Sequence, residues 1–229
     1  MAAMYAVYHG PSGIRRIACR VHAFTQRLKQ IIEGFGYEIF NGAAFFDTLT
    51  IDVGSMGLNV ESIHHISADM GINFRRVDER RIGVTLDETV TLSDLVDLVN
   101  VFALASGSSA VTPAILATPS KASVDFPSTL IRTSKYLHHP VFNTHHSETE
   151  MLRYLHHLQA KDLSLVHSMI PLGSCTMKLN STSSMIPLTW PEFSHIHPFV
   201  PVEQAKGYAK IVEVSDCSRS VSSKLAHRN

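Results

Sequence analysis

From Ile14 to Ile32 apolar residues return every three or four positions: Ile14, Ile17, Ala18, Val21, Phe24, Leu28, Ile31 and Ile32. That spacing lays them along one side of an α-helix over 12–34, which Gly34 and Gly36 end. A helix with one long apolar side has to be covered, so the residues that follow must supply the cover. "FFDTLTIDV" (45–53) is rich in β-formers and alternates at its end, which predicts a strand. In "NVESIHHISADMG" (59–71), Asn59 is placed to cap a short helix, with Val60, Ile63, Ile66 and Met70 on one side and Gly71 at its end. "INFRRVDERRIGVTL" (72–86) alternates on both sides of a charged turn and predicts a hairpin. Thr91 and Asp94 stand as a capping box before a third helix over 91–105. This order implies an α+β layer, a small sheet with helices on one face.

Periodicity is lost between 106 and 146, where Ser and Thr mix with Pro113, Pro119, Pro127 and Pro140. A stretch that long without regular spacing is a connector, so a domain boundary is expected there. Order returns at Ser147, which with Glu150 matches the S-x-x-E capping box. Met151, Leu152, Leu155 and Leu158 line the helix behind it. Another helix is predicted to begin within 201–214. Between these helices, "HSMIPLGSCTMKLNSTSSMIPLTWPEFSHIHPF" (167–199) carries neither a helical nor a strand period.

Composition excludes several classes. Among 229 residues, 20 Lys and Arg balance 20 Asp and Glu without a basic block, so neither a nucleic-acid surface nor an anionic membrane partner is implied. No apolar run reaches bilayer-spanning length. The first residues, "MAAMYAVYHGPSG", have neither the form of a secretory signal nor that of an arginine-rich mitochondrial presequence. Cys19, Cys175 and Cys217 are far apart and odd in number, which fits a reducing compartment. Eight of the 14 histidines form doublets: His64-His65, His138-His139, His145-His146 and His156-His157. Adjacent side chains diverge, so a doublet chelates poorly, and no metal site is expected.

The irregular loop and its flanks carry a resemblance. "FNTHHSETEMLRYLHHLQAKDLSLVHSMIPLGSCTMKLNSTSSMIPLTWPEFSHIHPFVPVEQAKGY", with "MAAMYAVYHGPSGIRRIACRVH", "FFDTLTIDV" and "GVTLDETV" upstream, closely resembles the P-protein family of the glycine cleavage system. Members of that family are pyridoxal-phosphate-dependent glycine decarboxylases that pass the aminomethyl group to the lipoyl H-protein. The resemblance implies an α/β architecture of two fold-type-I units in tandem, the first vestigial and the second holding the cofactor. On that plan, 1–105 is the small α+β domain closing the first unit and 106–146 is the connector between units. Residues 147–211 are the opening arm of the second unit, and 212–229 diverge from the family pattern. The family's cofactor lysine is expected downstream of this chain, so no catalytic residue is assigned and the chain alone is expected to be inactive. A P-protein homodimer partner is implied. So is a location in the mitochondrial matrix by likeness to eukaryotic relatives, or in the cytoplasm if the source is bacterial. The alternative is a noncatalytic polypeptide that pairs with intact P-protein subunits.

The resemblance also makes part of the loop an active-site surround: His167, Gly173, Ser174, Thr176, Lys178 and Asn180. Gly173, Ser174 and Thr176 let backbone approach a ligand, and their amides and hydroxyls suit a carboxylate or phosphate. Lys178 adds a point charge, and His167, His195 and His197 add polar contacts. The same residues also suit a role with no ligand, satisfying an irregular backbone. Cys175 has no His-Asn or His-Asp setting for a nucleophile, and an inert buried thiol is expected. Trp190 and Phe193 are expected to anchor the arm by packing.

Overall fold

The computed structural model describes residues 1–42, 44–116, 128–162, 164, 167 and 181–215. By its internal contacts the chain divides into two units, Met1–Ser164 and Leu165–Asn229. Helix α1 spans Ala2–Gly34 and is broken at Gly10. The apolar spacing that marks 12–34 therefore belongs to the longer part of a kinked helix, whose first turns extend upstream to Ala2. The Gly10-Pro11 pair makes the break. Gly10 takes φ 63°, ψ 179°, outside the range of ordinary residues, and Pro11 lacks an N–H to continue the preceding helix. Burial along the stripe deepens toward its end: Ile14 and Ile17 are partly exposed, while Leu28 and Ile32 are fully buried.

Four short strands form one antiparallel sheet: β1 Glu38–Ile39, β2 Thr48–Asp52, β3 Arg75–Arg76 and β4 Arg81–Thr85, in the order β1-β2-β4-β3. The strand expected over 45–53 is shorter than its β-rich run, and the two-residue β1 had no alternating pattern to announce it. The expected hairpin forms as the β3–β4 pair, but the longer ladder joins β2 to β4. There Leu49 pairs with Val84 and Ile51 with Ile82. A register with period two puts all four side chains on one face. Helix α2 (Val60–Asp69) is capped by Asn59, whose side chain accepts the Ser62 N–H at 2.7 Å, and Gly71 follows it at φ 73°. Helix α3 (Leu92–Ala105) begins with the complete Thr91–Asp94 capping box.

The buried faces meet in one core. Leu28 and Ile32 of α1, Leu49 and Ile51 of β2, Ile63 of α2, Ile82 of β4 and Phe102 of α3 are all fully buried there. This is the small α+β layer that the alternation of periods predicts. After α3 the chain folds back on it: the Val111 N–H donates to Asn100 Oδ1 at 2.7 Å, and Arg27 of α1 donates to the Ile115 carbonyl.

Tyr37 closes one end of the core. Its hydroxyl donates to the Phe102 carbonyl at 3.0 Å, its ring meets Phe102 edge-on, and burial pushes the phenol up to about 12. A raised phenol favours the folded state fully below its unfolded value, near ~10, and the advantage is lost as pH rises toward the folded value. Ultraviolet titration is therefore expected to show one tyrosine ionising near the alkaline unfolding step, after the others. In Tyr37→Phe that late component should vanish; its persistence would move it to another tyrosine.

Candidate active-site arm

The arm's first element is α4 (Glu148–Gln159), in the first unit. Ser147 caps it by accepting the Glu150 N–H at 3.2 Å, and Glu148 and Glu150 place negative charge at its positive end. Its last turn carries His156 and His157. Leu152 and Leu155, three residues apart on one side, are exposed rather than packed.

In the second unit the described elements are short: α5 (Thr182–Met185), a 3-10 turn over Ile186–Thr189, α6 (Pro191–Ser194) and α7 over 206–215. Ser181 caps α5 by accepting the Ser184 N–H at 3.2 Å. Pro187 and Pro191 open the next two turns, where a missing N–H costs nothing. An aromatic ladder ties these turns to α7. Phe193 lies 6.2 Å from Trp190 and 6.0 Å from Tyr208, ring centre to ring centre, and the Tyr208 hydroxyl donates to the Phe193 carbonyl at 2.6 Å. Phe193 thus packs between Trp190 and Tyr208, while Trp190, expected as a packing anchor, is itself exposed.

Of the proposed active-site surround, His167 is described, and it is exposed in a turn. Gly173, Ser174, Thr176, Lys178 and Asn180 lie outside the described residues, as does Cys175. His195 follows α6 and is exposed, and His197 accepts the Phe199 N–H at 3.0 Å through Nδ1. None of these three is brought against another candidate by a described contact.

Three histidines of the doublets make separate structural contacts. His145 stacks on Tyr154 of α4 with ring centres 4.3 Å apart, while His146 Nδ1–H donates to the Tyr8 carbonyl at 2.8 Å. His139 accepts the Val141 N–H through Nδ1 and caps a 3-10 turn over Pro140–Asn143. These contacts, together with the closeness of Gly10 to 142–146, were not marked by any period. The only local signals were the Gly-Pro step and the His-Ser entry to α4. Among the described residues no three His, Cys, Asp or Glu side chains gather as a metal site. No helix of those residues is long and apolar enough to cross a membrane.

The described lysines do not fit pyridoxal phosphate. A cofactor lysine needs a neutral amine, which burial or a neighbouring cation provides. Lys135, Lys161, Lys206 and Lys210 are exposed, and Lys29 pairs with the Glu33 carboxylate at 3.7 Å.

Comparison with known sequences gives a consistent family. The profile described as "Glycine cleavage system P-protein" matches residues 1–102. Glycine dehydrogenase (decarboxylating) of Cupriavidus metallidurans is 50% identical over 213 residues, covering 93% of this chain and 21% of that protein. The chain thus spans about a fifth of the length of that relative.

Proposed function

We propose that the chain is part of a glycine dehydrogenase (decarboxylating), the P-protein of the glycine cleavage system, which it resembles in both comparisons. The observation that carries this reading is the 50% identity maintained over nearly the whole chain. In the complete protein, pyridoxal phosphate supplies the electron sink for loss of carbon dioxide from glycine. The aminomethyl group then passes to the lipoyl arm of the H-protein, and a second P-protein subunit is the structural partner. Residues 1–105 serve as the small domain of the first unit, 106–146 as the connector and 147–211 as the opening arm of the cofactor-binding unit. The complete protein works in the mitochondrial matrix in a eukaryote and in the cytoplasm in a bacterium.

The part played by this chain is scaffold and surround, and no chemical step is assigned to its described residues. The resemblance supports His167, Gly173, Ser174, Thr176, Lys178 and Asn180 as part of the active-site surround, where small residues, amides and hydroxyls suit a carboxylate or phosphate. A chimera tests this. The matching residues of the Cupriavidus metallidurans protein are replaced by those of this chain, and glycine-dependent carbon dioxide release is measured with a lipoyl acceptor. Activity within about tenfold of the parent is expected, a barrier change of about 1.4 kcal/mol or less. A folded, cofactor-loaded chimera with no activity would sink the reading.

A further inference from the structure

We propose that residues 136–146 form a strap latched onto the break in α1, and that this latch, rather than the connecting chain, holds α4 on the first unit. The break opens the attachment point. An interrupted helix leaves the last carbonyls before the break short of intrahelical donors. His146 supplies one to Tyr8, at 2.8 Å, and the Tyr136 hydroxyl donates to the Pro11 carbonyl, also at 2.8 Å. Between these two bonds the strap crosses Gly10 at very short range. A Cβ there would stand 2.7 Å from His146 Cε1 and 2.8 Å from the Phe142 carbonyl oxygen.

Gly10 therefore has two independent reasons to be glycine. Its φ of 63° with ψ of 179° is a conformation other residues scarcely enter, and its missing side chain is the space that the strap occupies. The strap runs directly into Ser147, the cap of α4, so moving His146 moves the start of that helix. His145 adds a grip from the other side by stacking on Tyr154 within α4. Successive histidines thus hold two different helices, as diverging neighbours can. The latch lies within the first unit and holds whether or not the chain meets a cofactor.

Hydrogen–deuterium exchange with mass spectrometry on the full chain tests it, comparing wild type with Gly10→Ala and with a Tyr136→Phe, His146→Ala double variant. Exchange over 140–159 is expected to quicken at least tenfold in both variants, while 48–52 and 81–85 keep their wild-type rates. If Gly10→Ala also loosens the strands, the double variant decides, because it leaves the α1 backbone untouched. Faster exchange confined to 140–159 in the double variant supports the latch. Unchanged exchange there, or equal acceleration in the strands, overturns it.

Discussion

Phe102→Ala is expected to lower the unfolding free energy of the first unit by about 3–5 kcal/mol. Phe102 is fully buried on α3, and two aromatic neighbours depend on it: Tyr37 meets its ring edge-on at 5.4 Å and Phe74 stacks at 5.6 Å. Truncation removes the transfer energy of the ring and leaves a cavity between α3 and the sheet. The strands are only two to five residues long and have little freedom to close it. The Tyr37 hydroxyl keeps its bond, because the acceptor is the Phe102 backbone carbonyl. The loss is thus one of packing alone. Against the roughly 5–15 kcal/mol of a typical domain it is a large share, so urea denaturation followed by circular dichroism should show it clearly. A loss below about 1 kcal/mol would mean that the core around Phe102 is not closed as described.

The second large effect concerns the arm. Leu152, Leu155, Met185, Trp190 and Phe199 all have the character of core residues, yet all are exposed, Leu152 at 66% and Phe199 at 90%. Burying each such side chain is worth roughly 1.5–3 kcal/mol, so the chain gains by covering them with whatever apolar surface it meets. The purified chain is expected to bind a hydrophobic dye strongly and to grow in mean mass with concentration by light scattering. Leu152→Ser with Leu155→Ser should weaken both signals, since it makes one side of α4 polar. A compact monomer at every concentration, with no dye binding in the parent chain, would count against this picture.

How far the sequence disclosed the fold depended on periodicity. Where the longer elements lie against the core, their patterns mark them: the α1 stripe, the Thr91–Asp94 box and the Leu49/Ile51 alternation all have their counterparts in the structure. Features set by backbone geometry and long-range contact were harder to see. The turns of α1 before Gly10 bury Val7 but lack a long stripe, and β1 is too short to alternate. The Tyr136 and His146 contacts join residues more than a hundred positions apart and leave no local pattern. Capping marked the arm's helix reliably, because Ser147 needs only its own neighbours to act. For the candidate site, the legible part was the family resemblance of the Gly173–Asn180 run. No period marks that run, and its residues lie outside the described ones.

Under the proposed function this chain supplies scaffold and surround, and none of its lysines is the cofactor lysine. Lys178 follows a Gly-Ser-Cys-Thr run with no predicted strand to carry it, and no carboxylate in this sequence has the family context for pairing with a pyridine nitrogen. An ordinary lysine, with a pKa near ~10.4, is protonated at neutral pH and a poor nucleophile. The most direct measurement is to incubate the purified chain with pyridoxal phosphate, reduce with borohydride and map the modified lysines by mass spectrometry. Labelling should be weak and scattered over exposed positions such as Lys135, Lys161, Lys206 and Lys210, with no glycine-dependent carbon dioxide release. Stoichiometric labelling confined to Lys178, accompanied by such release, would contradict the claim.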